Sequence, residues 1–537
     1  MVETEIVIDM KKLKFFVLLI FLGVAAFLEM SVTFNSPIAF GDEALHTHLA
    51  RWIAAHQDYP VYMPQVGTNI FKSGFFRSPE WNILQGSFYF LLGFSETIVK
   101  FLVPFIAVLT SLAIYVLVSR LYSQNTAIAT SVMTMSVPSF ITYSVLLYPE
   151  ALLVLFISLT FLVTSLAFKR QRRKYIFLAG IFAALSVLTD ASGFITIPFF
   201  GLAFLYQMFQ KRNIIGVIKF WLPAIIIFAV ILSPYFFRNI VYYKTPTCQF
   251  PNIFSTSNCM LQPDYKPQFT FEGVLSGRTA EYEFFRFGII SYFNFAYGYL
   301  FLVPLFAIAG LVLSAYKRET NDILLFVALL VFLLIFYQSV SGRVEDLMRN
   351  LVSSTPIVAL FAGLYANEIA EFLKRYHREA VWIMIFFVVI LSFFNLRNRL
   401  ETLAGVKQFS PAFLEACNWA KQNLPQDAVL LSFNTAPTVY NCERQAQWDL
   451  ADGSDILLSQ NVELMKVRLN ANGFTHIFVQ KFSITQQKIS GGYWTGFIDA
   501  LMVSPETFKP IFENGPDYIT CGQQGGCDGT AIYEIIY

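Results

Sequence analysis

Blocks of about twenty consecutive apolar residues recur along this chain, and they restrict its fold more than any other feature. A block of that length crosses a hydrocarbon core of about 30 Å as a helix. In lipid every backbone N–H and C=O must be bonded internally, so blocks this uniform read as helices. Composition agrees: the chain of 537 residues is 56% hydrophobic and only 14% charged, whereas about a quarter of a soluble domain is charged. The formal net charge is +2, and no basic stretch marks a nucleic-acid partner.

About eleven spans follow from a walk along the hydropathy pattern. They lie near residues 13–34, 97–118, 126–147, 150–168, 175–189, 192–210, 214–236, 289–314, 323–340, 351–368 and 380–396. The first, behind Lys11, Lys12 and Lys14, runs to Phe34 with no small-x-small cleavage site, so it reads as an uncleaved span rather than a signal peptide. An N-terminus in the cytoplasm places Lys169 to Lys174, Lys211-Arg212, Lys317-Arg318 and Lys374-Arg375 on the cytoplasmic side, as the positive-inside bias requires. Loops 35–96 and 237–288 then lie outside, as does the tail.

Cysteine placement tests that orientation separately. Cys248 and Cys259 share one outside loop, and Cys417, Cys442, Cys521 and Cys527 fall in the tail. Confinement to one side fits an oxidising compartment and disulfides, with Cys248–Cys259 and Cys521–Cys527 as local pairs; six unpaired thiols in a reducing host are the alternative. The chain thus divides into a transmembrane module, 1–396, and an extracytoplasmic soluble domain, 397–537. In that domain Pro411 to Asn423 has helical spacing and Ala428 to Phe433 reads as a buried strand. Val462 to Asn472 is helical again, ended by Gly473, and His476 to Gln480 follows as a strand. Alternating helix and strand indicate a small α/β domain.

Candidate chemistry begins directly after the first span, at Gly41-Asp42-Glu43-Ala44-Leu45-His46. Two adjacent carboxylates there lie at the membrane surface. Ala44, Leu45, Leu49, Trp52 and Ile53 form an apolar stripe on the helix that follows, which suggests that it lies along the bilayer interface. Asp42 and His46, four apart, share a helical face. A plainer reading makes Asp42 an N-cap and Glu43 a first-turn acid on the helix dipole.

An acidic pair after the first span, with a surface helix behind it, resembles the first loop of the protein O-mannosyltransferases and bacterial aminoarabinose transferases of the GT-C superfamily. Further segments resemble that family in the expected order. Tyr148-Pro149-Glu150 is similar to its acidic residue at the outer end of a fourth span. Leu188-Thr189-Asp190 is similar to an outer turn after a fifth, where many members carry a basic residue. Phe237-Arg238-Asn239 is similar to the Arg-Asn closing a seventh, and Arg343 to Leu351 to an arginine-bearing segment before a late span.

The resemblance implies a polytopic α-helical enzyme of GT-C type that transfers sugar from a polyprenyl-phosphate donor to a protein, lipid or glycan acceptor at the outer face. A prokaryotic plasma membrane is the implied setting. Such chemistry needs a carboxylate to take the acceptor's proton and positive charge on the departing phosphate. Asp42 is the candidate base, with Glu43 as its alternative or an acceptor ligand. Arg238, Arg343 and Arg349 are candidate phosphate ligands, against a plain snorkelling role for each. His46, Glu150 and Asp190 are candidate substrate contacts. One-step displacement would invert the anomeric centre. No cofactor is implied: His46 and His48 are two apart, hence on different helical faces, and a divalent ion stays the lesser alternative. The competing classes are a transporter or flippase, which would place polar residues at mid-membrane, and an oligosaccharyltransferase, although the tail has no WWDYG.

Overall fold

The computed structural model describes residues 10–38, 41–60, 78–211, 213–243, 302–317, 352–377, 380–406, 410–432, 434–447, 461–481, 501–517 and 528–537. In chain order its helices are α1 Met10–Asn35, α2 Gly41–His56, α3 Glu80–Leu92, α4 Glu96–Leu121, α5 Gln124–Ser136, α6 Pro138–Val145, α7 Glu150–Arg170 and α8 Arg173–Thr189. After them come α9 Thr196–Lys211, α10 Ile214–Tyr243, α11 Leu302–Lys317, α12 Thr355–Lys374, α13 Ala380–Val406, α14 Pro411–Asn423, α15 Thr435–Cys442 and α16 Val462–Ala471. The strands are β1 Val429–Ser432, β2 Gln445–Gln447, β3 His476–Gln480, β4 Phe508–Asn514 and β5 Thr530–Ile535. The chain falls into two compact units: Met1–Asn35 with Arg77–Ser257 and Lys266–Val406, and Ser36–Phe76 with Asn258–Tyr265 and Lys407–Tyr537.

The first unit is helical. Among the described residues, 7 helices are long and apolar enough to cross a membrane, or up to 8 if the bent pair α5–α6 is one span. This is fewer than the eleven expected from hydropathy, for several reasons. α8 reaches only 17 residues, α11 contributes the shorter apolar stretch Leu305–Tyr316, and the expected span 323–340 lies outside the described residues. The span expected over 126–147 is not one helix: α5 and α6 meet at a 64° bend. Val137 is extended between them and Pro138 opens α6 at its first turn, where a missing N–H breaks no helical bond. Small residues set the closest approaches. A β-carbon on Gly180 of α8 would lie 2.6 Å from the Ala224 carbonyl oxygen of α10, and one on Gly363 of α12 would meet Thr130 of α5.

The helices alternate in direction, as side-chain bonds at the two ends of this unit show. At one end Lys14 Nζ donates to Asn125 Oδ1 at 2.8 Å, Lys169 Nζ to the Leu121 carbonyl at 2.6 Å and Ser123 Oγ to Asn367 Oδ1 at 3.0 Å. Those bonds gather the start of α1, the ends of α4 and α7, and the start of α5. Arg170 at the end of α7, Arg172 in the connection, and Arg173 and Lys174 at the start of α8 lie at this same basic end. At the other end Ser144 Oγ donates to Glu29 Oε1 at 2.8 Å, Trp81 Nε1 to the Leu147 carbonyl at 3.1 Å and Arg399 Nε to Thr142 Oγ1 at 2.9 Å.

The second unit is an α/β domain on a five-stranded sheet of order β2-β1-β3-β5-β4. β1 pairs in parallel with β2 and β3, with Leu430 opposite His476, and β5 runs antiparallel to β3 and β4. Strand neighbours point to opposite faces, and here both faces are covered. Leu430, Phe478 and Ile532 enter one core with Phe413, Ala416 and Val439, whereas Leu431, Ile477, Val479 and Ala531 enter another with Met465 and Leu469. A disulfide joins Cys417 to Cys442, binding α14 to α15 inside the first core. The expected pairs Cys248–Cys259 and Cys521–Cys527 lie outside the described residues. α14 and β3 have the bounds read from sequence, and Gly473 sits at φ +73° after α16, in its terminating role.

One expectation is corrected here. The apolar stripe of α2, expected to face a bilayer interface, is covered by protein: Leu45 and Leu49 are buried in the first core of the α/β domain, with Ile53 packed against it. Burying each leucine contributes about 1.5–3 kcal/mol, which is why the stripe is covered. Arg51 seals the contact. Its Nη2 donates to Tyr440 Oη at 2.9 Å, and its guanidinium lies 4.5 Å from that ring's centroid.

Candidate active site

α2 begins at Gly41, so Asp42 and Glu43 are both first-turn acids on the positive end of the helix dipole. Burial separates them. Glu43 is 0% exposed and its carbonyl accepts from Thr47 Oγ1 at 2.7 Å, while Asp42 is half-buried. His46, one turn on from Asp42, is buried, and His48 is half-buried. The helix is held rigidly by the core beneath it, so its acids are presented on a fixed scaffold. Among the described residues no group of three or more His, Cys, Asp or Glu is arranged to hold a metal ion.

In the helical unit, three other sequence candidates come to the end opposite the basic one. Glu150 opens α7 and is 1% exposed. Asp190 follows α8, where its carboxylate accepts from the Ser192 N–H at 2.8 Å and caps the 3-10 turn Ala191–Ile195. Half-buried Arg238, near the end of α10, donates from Nη1 to Asn239 Oδ1 at 3.4 Å and stands 5.7 Å from the Tyr242 ring. Arg343 and Arg349 lie outside the described residues.

Sequence reasoning missed α3. This short helix packs on α4 and α8 and is tied to the α6–α7 connection by Trp81. It buries Trp81, Asn82, Gln85 and Tyr89. Gln85 is fully buried, and among the described residues neither polar atom of its amide has a partner; leaving such a group unpaired costs about 1–3 kcal/mol. Burial pushes the Glu80 carboxyl above the usual carboxylate range. On α4 the buried Lys100 pairs with Glu96 at 3.1 Å. The signal was present as polar residues interrupting an apolar run, but that pattern also describes an ordinary connection.

Comparison with known proteins bears on this arrangement. Residues 77–237 match the family described as dolichyl-phosphate-mannose-protein mannosyltransferase. No curated protein matches the chain by sequence. Among solved structures, ArnT from Cupriavidus metallidurans bound to undecaprenyl phosphate superposes with a TM-score of 0.65 at 13% identity, over 96% of this chain and 97% of that one. The archaeal oligosaccharyltransferase AglB from Archaeoglobus fulgidus, in complex with an inhibitory peptide and a dolichol-phosphate, gives 0.63 at 14% identity, over 97% of this chain and 74% of that one. The arabinofuranosyltransferase AftD from Mycobacteria gives 0.52 at 13% identity, over 96% of this chain and 40% of that one. A sequence match over much of the helical unit and a structural likeness over nearly the whole chain lead to one architecture, and this protein has the GT-C fold of membrane glycosyltransferases.

Proposed function

We propose that this chain is a membrane glycosyltransferase that moves a sugar from a polyprenyl-phosphate-linked donor to a protein, lipid or glycan acceptor at the extracytoplasmic face. The observation that carries the reading is the fixed acidic pair opening α2 in a chain of this fold. ArnT bound to undecaprenyl phosphate and AglB with a dolichol-phosphate support the donor class.

Asp42, the less buried acid, takes the proton from the acceptor as it attacks the anomeric carbon. The bond to the donor phosphate breaks, and the polyprenyl phosphate leaves with the electron pair. Arg238, with Arg343 and Arg349, stabilises the negative charge on that phosphate. Attack and departure on opposite faces of one carbon invert its configuration. Glu43 orients the acceptor, and His46, Glu150 and Asp190 contact the substrates. The likeness to AglB favours an oligosaccharyltransferase as the second reading. The tail lacks WWDYG, and Gly492-Tyr493-Trp494-Thr495-Gly496 is only a superficial echo of it.

Four variants at matched expression and melting temperature test this. Asp42→Asn keeps the size of the side chain but removes its basic oxygen, so turnover should fall by roughly two or more orders of magnitude with donor binding retained. Arg238→Ala and Arg343→Ala should instead weaken donor binding. A larger loss in Glu43→Gln than in Asp42→Asn would move the base one residue along. Near-normal turnover in Asp42→Asn and Glu43→Gln alike would overturn the assignment.

A further inference from the structure

The short helix α3 is amphipathic in the reverse of the sense usual in water. Phe90, Leu91 and Leu92 near its end, with Phe94 just beyond, are exposed, Leu91 at 75%. Asn82 and Gln85 are instead turned inward and fully buried. Lipid suits such an outer face better than water, and α4, on which α3 packs, likewise exposes Phe101, Phe105 and Leu109. Polar side chains turned into a bundle at the level of lipid are costly to bury and mark substrate sites.

Two polar groups on this inner face are already used. Trp81 Nε1 donates to the Leu147 carbonyl, and Asn82 Nδ2 to the Ser78 carbonyl at 3.1 Å. Gln85 follows Trp81 by one turn on the same face, and among the described residues its Oε1 and Nε2 have no partner. Exchanging the two atoms would change nothing, since both are unpaired. Leu147 lies shortly before Glu150, and α3 also packs on α8, which ends beside Asp190. The amide therefore belongs to the end of the helical unit that holds these two acids.

We propose that Gln85 is a specificity-determining residue that reads the donor sugar, and that this sugar is neutral where it is read, with vicinal hydroxyls or an acetamido group. The chemistry of a primary amide selects that class, because it offers two N–H donors and one carbonyl acceptor. An ammonium group only donates and would leave Nε2 unpaired. A carboxylate only accepts and would leave Oε1 unpaired. Two neighbouring hydroxyls, or the N–H and C=O of an acetamido group, satisfy both atoms together. The proposal rests on the transferase reading above and adds the class of sugar to it.

The full chain in detergent tests it, given an acceptor extract and undecaprenyl-phosphate donors carrying mannose, N-acetylglucosamine, 4-amino-4-deoxyarabinose or glucuronic acid. One of the two neutral donors should be preferred. Gln85→Leu removes an unpaired buried amide, so its melting temperature should hold or rise. Its kcat/KM for the preferred donor should nevertheless fall roughly tenfold to a hundredfold, the scale of one or two hydrogen bonds. Deleting the sugar's hydroxyls or acetamido group one at a time should yield a donor that wild type uses poorly and on which Gln85→Leu loses nothing further. Wild-type turnover in Gln85→Leu would make the amide a packed or hydrated group and overturn the proposal. So would an equal loss in that variant on every deleted donor, or a wild-type preference for the amino or uronic donor. If Gln85→Leu does not fold, the deleted donors decide with wild type alone, and equal use of all of them sinks the proposal. No product from any donor would remove the transferase reading as well, whereas an amino or uronic product leaves that reading standing.

Discussion

His476 begins β3, 8% exposed, with its Nδ1 2.8 Å from Thr475 Oγ1. Burial lowers its pKa below the ordinary 6.5, with Glu534 pulling weakly the other way. A histidine whose folded pKa is depressed binds fewer protons folded than unfolded, so stability rises with pH through this window and levels off above about 6.5. Melting temperatures of the full chain should therefore fall between pH 7.5 and pH 5.5, and His476→Asn should fall less steeply. Equal slopes would refute the assignment. Neighbouring residues show what a sequence reveals at this scale. The adjacency of Asp42 and Glu43 was visible, but their unequal burial was not, because it depends on how the whole helix is seated. Asp190 likewise read as a substrate contact, and its bond to the Ser192 N–H emerges only from the turn that it caps.

Elements with a local cause were legible. β3 alternates toward two cores, α14 carries Ser410 as an N-cap that accepts from the Phe413 N–H at 3.1 Å, and Gly473 stops α16. Each is written within a few residues. α2 was legible as a helix but its partner was not, since an apolar stripe has the same periodicity whether lipid or protein covers it. The α5–α6 break was missed because Ser136-Val137-Pro138 interrupts an apolar run too briefly to divide it by hydropathy. The seating of α2 gives a direct prediction. Leu49 is 0% exposed in the core of the α/β domain, so Leu49→Ala should destabilise the protein by about 2–5 kcal/mol. Ile53, only partly buried at the edge of that core, should respond less. Chemical denaturation in detergent measures both, and a Leu49→Ala variant as stable as wild type would mean that lipid, not the domain, covers the stripe.

For the whole molecule, the basic end of the helical unit and the cysteines of the α/β domain predict opposite sides of the membrane. Gln171→Cys should react with a membrane-impermeant thiol reagent only from the cytoplasm, and a cysteine in the tail only from outside. Reaction of both from one side would remove the outer-face active site and the oxidising environment of Cys417–Cys442 together. The GT-C architecture was readable only as an ordered set of short resemblances, since similarity of 13% to 14% with known structures leaves the shared helices but few shared side chains. The central claim is covalent sugar transfer from a lipid phosphate, and a transporter of similar shape would need a membrane and a gradient. Purified protein in detergent, supplied with a panel of polyprenyl-phosphate sugars and an acceptor extract, removes both. A glycosylated product with inverted configuration, formed by wild type and reduced by about two or more orders of magnitude in Asp42→Asn, is the predicted result. No product from any donor, together with gradient-dependent solute uptake into proteoliposomes, would contradict it.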